Sequence, residues 1–273
     1  MRRESPVVRA QEARVPTGNA GEVPAVTVRG LTKRFPDAVV YDRFDLDIPR
    51  GKLVSIFGPN GCGKSTLINM ITGLIPIDAG EILFDGKPLR DTKFGYVFQN
   101  YREALFPWLR AIDNIDYPLK LMKLPKAERR TRTQRMVASL GVKIDLNRYP
   151  YELSGGQQQL VSVMRALVVE PQILFLDEPF SALDYEMTLF MRDQLQRIFV
   201  ETGTTTVLVS HDLEEAVYLA DRILLLSRRP ASIADYVRYD AARPRSDATL
   251  SQHDFVRVKA HCLEVFQREV RKG

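Results

Sequence analysis

The sequence predicts an α/β fold in which a parallel-sheet core is interrupted by an all-helical insertion. Three observations predict it. Short strand-like runs at 53–57, 173–176, 205–209 and 223–226 suit strands buried on both faces of a parallel sheet. That texture vanishes between about Asn100 and Val169, where Met136, Leu140, Leu160, Val163, Met164 and Leu167 follow helical spacing. From Gln172 the buried-strand pattern returns, with a long helix-like segment at 185–201 between its first two runs.

In chain order, residues 1–24 carry Arg2, Arg3, Arg9 and Arg14 without an apolar core, so they are not a secretory signal. Their Pro, Gly, Glu and Ala content reads as a flexible tail. Val26, Val28 and Leu31 open the first strand pattern, and Phe44, Leu46 and Ile48 then alternate with Asp45 and Asp47 as a half-buried strand ending at Pro49 and Gly51. After the run at 53–57 come a glycine-rich turn and a helix expected from about Lys64 to Leu74. Strands are expected at 80–85 and 94–98 around a turn at Asp85-Gly86. Near the end, Ser251 is expected to cap a helix, with Asp254 three residues on. Phe255, Val258, Cys262, Val265, Phe266 and Val270 form its apolar stripe, which suits docking on the chain's own domain better than on a partner.

Composition narrows the classes. Hydrophobic content of 45% and charged content of 27% are ordinary for a globular protein. No run approaches the roughly 20 apolar residues that span a bilayer, so the chain is not itself a pore. Two distant cysteines, Cys62 and Cys262, cannot build a disulfide framework and suit a reducing cytosol. The net charge of +5 is spread along the chain, apart from Lys126, Arg129, Arg130, Arg132 and Arg135 around Glu128. That cluster reads either as a solvated helix face or as a surface for acidic partners.

The chemistry begins at Gly58-Pro59-Asn60-Gly61-Cys62-Gly63-Lys64-Ser65, a G-x-x-x-x-G-K-[ST] pattern with Thr66 next, lying between a buried strand and a helix. Glycines let backbone N–H groups turn inward around a phosphate, and the helix terminus adds its positive dipole end. Lys64 would place a charge on the β- and γ-phosphates, and the Ser65 hydroxyl could ligate Mg²⁺. The run at 173–176 ends in Asp177-Glu178, at the strand end where ligands collect. Asp177 is the candidate for the Mg²⁺ shell, and Glu178 for general base or orienter of the attacking water. These motifs establish an NTPase without separating a transport motor from a kinase, helicase or GTPase.

Leu153-Ser154-Gly155-Gly156-Gln157 opens the last helix of the insertion. Ser154 is a natural N-cap, and the glycines expose N–H groups, so the same chain carries a second phosphate-type surface. A chain whose own cradle grips the phosphates has little use for another unless two chains face each other.

On these residues the sequence resembles the ABC (ATP-binding cassette) ATPases, over about residues 26–227. Leu153 to Gln157 matches their signature motif. Gln99 resembles the Q-loop glutamine, also a metal ligand, Ser181-Ala182-Leu183-Asp184 the D-loop, and His211 the switch histidine. Phe35 lies where the family stacks an aromatic on adenine. The resemblance implies a P-loop NTPase (RecA-like) parallel-sheet core with an N-terminal antiparallel β subdomain and an inserted α-helical subdomain at about 100–169. The ATPase domain would span 25–230, with a C-terminal extension at 231–273. It further implies a head-to-tail pair of chains, each ATP lying between Phe35, residues 58–66, Gln99, Asp177, Glu178 and His211 of one chain and Ser154, Gly155, Gly156 and Gln157 of the other. One departure is Leu160, where the family commonly has arginine; Arg165 keeps the usual pattern.

The segment Leu105-Phe106-Pro107-Trp108 resembles cassettes of nitrate/sulfonate/taurine-type importers, where this edge receives a helix of the membrane subunit; the same side chains could instead pack into the helical subdomain. The implied function is the ATP-hydrolysing subunit of an importer for a small anion or related solute. Its partners would be a second copy, transmembrane permease subunits and an extracytoplasmic solute-binding protein, with no nucleic acid, and its place the cytoplasmic face of the membrane. The alternatives are a soluble ABC-type ATPase acting on nucleic acid, prompted by the basic cluster, and a P-loop small-molecule kinase, against which the signature speaks.

Overall fold

A computed structural model describes residues 23–272 other than 142, 143 and 182, and the side chains of all these but 101 and 102. The expected tail therefore lies almost wholly outside the described residues, as does Ala182 of the D-loop segment. The elements run β1 Pro24–Phe35, β2 Ala38–Pro49, β3 Leu53–Phe57, α1 Lys64–Ile71, β4 Ala79–Phe84, β5 Phe94–Val97, α2 Tyr101–Ala104, α3 Ala111–Leu121, α4 Lys126–Ser139 and α5 Gly155–Leu167. They continue β6 Ile173–Asp177, α6 Tyr185–Thr202, β7 Thr205–Val209, α7 Leu213–Leu219, β8 Arg222–Leu226, β9 Ile233–Arg238, α8 Asp247–Leu250 and α9 His253–Arg271. Two compact units divide them, one holding the chain up to Asp91 and from Val209 on, the other Thr92–Leu208.

In the first unit, β1 pairs antiparallel with β2 and with β4, giving the order β2-β1-β4. Separately, β3 pairs in parallel with β8, and β9 closes on β8 antiparallel. Every residue of β3 and β8 is buried, including the polar Ser55 and Arg222, as expected for strands covered on both faces. Helix α9 packs on α7, β8 and β9 through Phe255, Val258, Cys262 and Val265. Phe266 sets its ring 5.0 Å from that of Phe57, the last residue of β3. The apolar stripe of α9 is thus spent on its own unit, except at Val270, which is exposed.

In the second unit, β5 and β6 pair in parallel, and helices α3, α4 and α5 pack together, α3 against α5 most extensively. The basic cluster falls on α4, where two of its cations are engaged. Arg129 pairs with Asp116 at 3.1 Å, and Arg132 with Glu128 at 2.8 Å and Glu170 at 3.5 Å.

Several expected boundaries move. Helix α1 stops at Ile71 rather than Leu74, because the Thr72 hydroxyl bonds back to the Ile68 carbonyl (2.9 Å) and Gly73 takes a left-handed φ of 72°. Ser251 does not begin the last helix; it ends the short α8, and Gln252 precedes α9. Strand β9 has no counterpart in the expectation, since its only fully buried side chain is Val237 and an edge strand with such mixed faces leaves little period-2 signal.

Candidate functional site

The cradle is built on β3 in the first unit. Five buried residues bring the chain to Gly58, and the turn then closes on itself, Cys62 N–H donating to the Pro59 carbonyl at 3.2 Å. Gly63 cannot be replaced without strain: its φ is 121°, and a Cβ there would stand 2.6 Å from Val40 Cγ1. The Lys64 ammonium, 7% exposed, donates to the carbonyls of Gly58 (2.9 Å) and Pro59 (3.2 Å). Two carbonyls thereby hold the ammonium inside the loop, where it is the cation an anion would meet. Ser65 and Thr66 occupy the first turn of α1, half-buried, and Asn60 and Gly61 are exposed at the lip.

A residue outside the motif completes this loop. Tyr41 on β2 is fully buried, and its hydroxyl donates to the Gly63 carbonyl at 3.0 Å. Burial, and next the neighbouring Cys62, hold its pKa well above the usual tyrosine range, so it stays a donor. Cys62 itself is a buried thiol, raised by that burial. In the same unit, Phe35 is exposed, with the Lys33 ammonium 5.3 Å from its ring centre. His211 is exposed one residue before Asp212, the N-cap of α7.

The second unit holds the acids. Asp177 ends β6, buried, and accepts from the Tyr96 hydroxyl at 3.4 Å. Burial first, and then the charge of Asp177, raise the Tyr96 pKa far above its usual value. Glu178 has a φ of 48°, a left-handed conformation that costs a non-glycine residue about 1–2 kcal/mol and swings its side chain out of the strand's alternation. Ser181 helps hold that turn, its N–H (3.2 Å) and hydroxyl (3.1 Å) both donating to the Glu178 carbonyl. The Gln99 amide donates to the Glu178 carboxylate at 2.9 Å, so two of the expected residues meet directly.

The signature segment lies in the same unit as a capping box. Ser154 Oγ accepts from Gln157 N–H at 3.3 Å, and Gln157 Oε1 accepts from Ser154 N–H at 3.0 Å. Gly156 admits α6 closely, a Cβ there standing 2.6 Å from Met187 Cγ. Asp184 caps α6 through the Met187 N–H at 2.8 Å. Leu160, the departure from the family pattern, is buried in the core of this unit, a place for an aliphatic side chain and not for an unpaired cation.

Beyond Gln99, Leu105 is buried, Phe106 half-buried and Trp108 70% exposed. The reading that these side chains pack into their own unit holds for Leu105 and Phe106. Phe106 packs on Tyr117 (centroids 4.7 Å) and Trp108 (5.5 Å), while Trp108 offers most of its indole to solvent. Buried Asn114 ties the turn, accepting from Phe106 N–H (2.8 Å) and donating to the carbonyls of Phe106 (3.1 Å), Leu109 (3.1 Å) and Arg110 (3.3 Å). Arg165 of α5 donates to the Ala104 carbonyl at 2.6 Å, with its guanidinium 5.9 Å from the Phe106 ring centre. Sequence reasoning passed over Tyr41, Tyr96 and Asn114; the one available signal was that a buried tyrosine or asparagine must find a polar partner.

Comparison with known proteins gives the family and the fold. The profile of the ABC transporter family matches residues 41–181. An uncharacterized ABC transporter ATP-binding protein of Methanocaldococcus jannaschii is 35% identical over 90% of this chain and 92% of its own length. A sulfate/thiosulfate import ATP-binding protein of Neisseria meningitidis is 40% identical over 74% of this chain, and the match spans 59% of that relative's length. A spermidine/putrescine import ATP-binding protein of Marinobacter nauticus is 42% identical over 74% of this chain, which spans 55% of it. Among solved structures, the dimeric structure of a bacterial ABC transporter cassette is 30% identical with a TM-score of 0.70, covering 80% of this chain and 100% of that one. A dimeric post-hydrolysis state of an ATP-binding cassette bound to ADP and Pi matches with a TM-score of 0.69 at 30% identity, over 80% of this chain and all of that one.

Proposed function

The chain belongs to the ABC transporter ATP-binding family, and on that premise we propose that it is the motor subunit of an importer, working as a pair of chains around two ATP molecules. It is an ATPase with the P-loop NTPase fold. The observation that carries the proposal is the capped terminus of α5. Ser154 and Gln157 satisfy each other's N–H and oxygen, leaving the Ser154 hydroxyl proton and the Gln157 amide hydrogens as donors beside the first N–H groups of the helix. A phosphate-type surface in a chain that already has a cradle fits a γ-phosphate held by the opposite copy.

In this reading Lys64 and the N–H groups of residues 58–66 grip the phosphates, and Phe35 stacks on the adenine. Glu178 holds the attacking water and takes its proton. Gln99, bonded to Glu178, orients that carboxylate, and His211 steadies the γ-phosphate. Among the described residues no cluster of three or more His, Cys, Asp or Glu could hold a metal ion alone. This fits Mg²⁺, which is typically held by one or two protein oxygens together with substrate phosphates and water; Ser65 and Asp177 supply a hydroxyl and a buried carboxylate. Bound there, Mg²⁺ would neutralise charge building on the β- and γ-phosphate oxygens.

No helix among the described residues is long and apolar enough to cross a membrane; transport would need separate transmembrane permease subunits, with this chain at the cytoplasmic face and a solute-binding protein on the extracytoplasmic side. Exposed Trp108 supports the segment 105–108 as the edge where a permease helix docks. The relatives named above import an anion in one case and a polyamine in another, so the nucleotide motifs do not encode the solute. The resemblance at 105–108 supports the nitrate/sulfonate/taurine type. The ion pairs of Arg129 and Arg132 leave the basic cluster less charge for nucleic acid than the sequence suggests.

The test is Glu178→Gln. Phosphate release should fall by at least about a hundredfold, and an ATP-bound pair of chains should accumulate in size-exclusion chromatography. Hydrolysis near the wild-type rate, or ATP-bound monomers throughout, would exclude the proposal.

A further inference from the structure

Helix α7 follows His211 directly, and both of its ends are held by side chains from beyond β8. At its amino end, Asp212 accepts from the N–H groups of Glu214 (2.7 Å) and Glu215 (3.1 Å), and the Ser210 hydroxyl donates to the Glu215 carboxylate at 2.8 Å. Lys259 of α9 reaches this end as well, pairing with the Glu214 carboxylate. At the carboxyl end, buried Arg245 donates to the carbonyls of Val217 (3.2 Å), Tyr218 (2.7 Å) and Ala220 (2.8 Å). Arg243 donates to the carbonyl between them, Leu219, and through two nitrogens to Asp221 at 2.8 and 3.2 Å. The Tyr218 hydroxyl answers by donating to the Arg245 carbonyl at 2.8 Å.

The last four carbonyls of a helix have no intrahelical donor. Here the run 217–220 meets guanidinium groups at every position, and their charge also complements the negative end of the helix dipole. Burial, and next the repulsion of Arg243, lower the Arg245 pKa to about 10, so it remains a cation at neutral pH. Burying a guanidinium is costly unless its donors are matched; one terminal nitrogen of Arg245 is spent on α7, and the other donates to the Tyr239 carbonyl at 3.1 Å. Seven residues do not hold a helix by themselves, so the placement of α7 is set by what its ends are tied to.

We infer that the segment from Arg243 to Lys259 is a clamp that sets the position of His211 for hydrolysis, with Arg243, Arg245 and Lys259 as positioning residues. The inference rests on the role of His211 proposed above. It gives the C-terminal extension a part in the ATPase cycle of its own chain.

The test measures steady-state hydrolysis by the full-length chain carrying Lys259→Met, Arg245→Lys, or the exchange Lys259→Glu with Glu214→Lys, each with and without His211→Ala. Lys259→Met should lower kcat about three- to tenfold while KM for ATP stays within about twofold. The exchange should restore at least about half of the lost rate. In the His211→Ala background, Lys259→Met should change the residual rate by less than about 1.5-fold, because the group it positions is gone. An unchanged kcat in Lys259→Met, or an equal loss with and without His211, overturns the clamp. If His211→Ala alone keeps the wild-type rate, the proposed role of His211 falls and the clamp with it; a large His211→Ala loss beside a silent Lys259→Met sinks the clamp alone. Lys259 is partly exposed, so its variants carry the test even if Arg245→Lys fails to fold.

Discussion

Removing one hydroxyl, by Tyr41→Phe, measures how much of the cradle's rigidity comes from outside its motif. The ring would keep its edge-on contact with Phe44, centroids 5.0 Å apart, so packing is unchanged. The lost bond is the 3.0 Å donation to the Gly63 carbonyl. That carbonyl is not orphaned, because it also accepts from Leu67 N–H at 2.8 Å. The cost is therefore the net worth of one hydrogen bond, about 1 kcal/mol, rather than the roughly 1–3 kcal/mol of a stranded buried acceptor. A loss of that size lowers Tm by about 2–4 °C in a domain of this size. Expressed entirely in the bound state, it weakens ATP binding by about fivefold at most. Thermal melting with and without MgATP, and titration calorimetry, would read both. Tyr41→Ala, which also empties the ring's volume, should cost about 3–5 kcal/mol. If Tyr41→Phe moved Tm by less than about 1 °C and ATP affinity by less than about 1.5-fold, the hydroxyl would not be a support of the cradle. A fiftyfold loss of affinity would refute the local accounting just as firmly.

Asn114→Ala should destabilise the second unit by about 3 kcal/mol, since it removes one accepted and up to three donated bonds and strands the Phe106 N–H. Trp108 is the only tryptophan, so acrylamide quenching of its fluorescence should show the loosened edge before the unit melts. Ser154→Ala should lower stability by about 1 kcal/mol through the lost cap. The larger effect should be on hydrolysis, with ATP binding to the isolated chain by filter assay left near the wild-type value. On the alkaline side, burial, helped by the charge of Asp235, pushes the Cys262 thiol up to about 12. Its folded pKa is raised, so the folded chain binds the extra proton, and the contribution present below the unfolded value is lost as pH rises. From about pH 9 to 12 this one group should raise the unfolding constant about tenfold per pH unit. Cys262→Ala should flatten that limb of the stability curve in denaturant titrations, and an unaltered slope would assign the alkaline loss to other groups.

What was legible in the sequence was whatever the chain writes locally. The buried runs of β3, β6 and β8, the glycines before Lys64 and the cap at Ser154 each place their partners within a few residues, and there the reading and the structure coincide. What was not legible depends on distance along the chain. Tyr41 meets Gly63 across 22 positions and Tyr96 meets Asp177 across 81. In sequence, each is only a strand-favouring aromatic. Arg243 and Arg245 carry no local signal, since their acceptors are carbonyls of α7 more than 20 residues earlier. Ser251 failed as a helix start for a different reason: Thr249 Oγ1 accepts from Ser246 N–H at 3.1 Å, so the cap of a four-residue turn competes for the same stretch. Edge strand β9 escaped because Val237 alone of its side chains is fully buried, which leaves no period-2 trace.

The Gln99–Glu178 bond bears on how a docking event at Trp108 would reach the chemistry. Gln99 stands between two fixed points in the second unit: the carboxylate it holds at 2.9 Å, and the Phe106–Arg110 turn that Asn114 ties down. Arg165, in the last turn of α5, donates to the Ala104 carbonyl just before this turn and sets its guanidinium 5.9 Å from the Phe106 ring centre; the first residues of the same helix are the signature. If Trp108 receives a partner helix, Glu178 holds the water and Ser154 faces an opposite chain, as proposed above, pressing on Trp108 would load two elements at once, the segment that leads back to Gln99 and helix α5. A contact worth about 1.4 kcal/mol more in one state than in the other shifts such an equilibrium tenfold. On that proposal docking would modulate hydrolysis without touching ATP, provided the turn is stiff, and the four bonds of Asn114 stiffen it. Asn114→Ala should on this argument uncouple partner-stimulated hydrolysis more than basal hydrolysis; an equal fall in both would mean that the turn serves only to fold the unit.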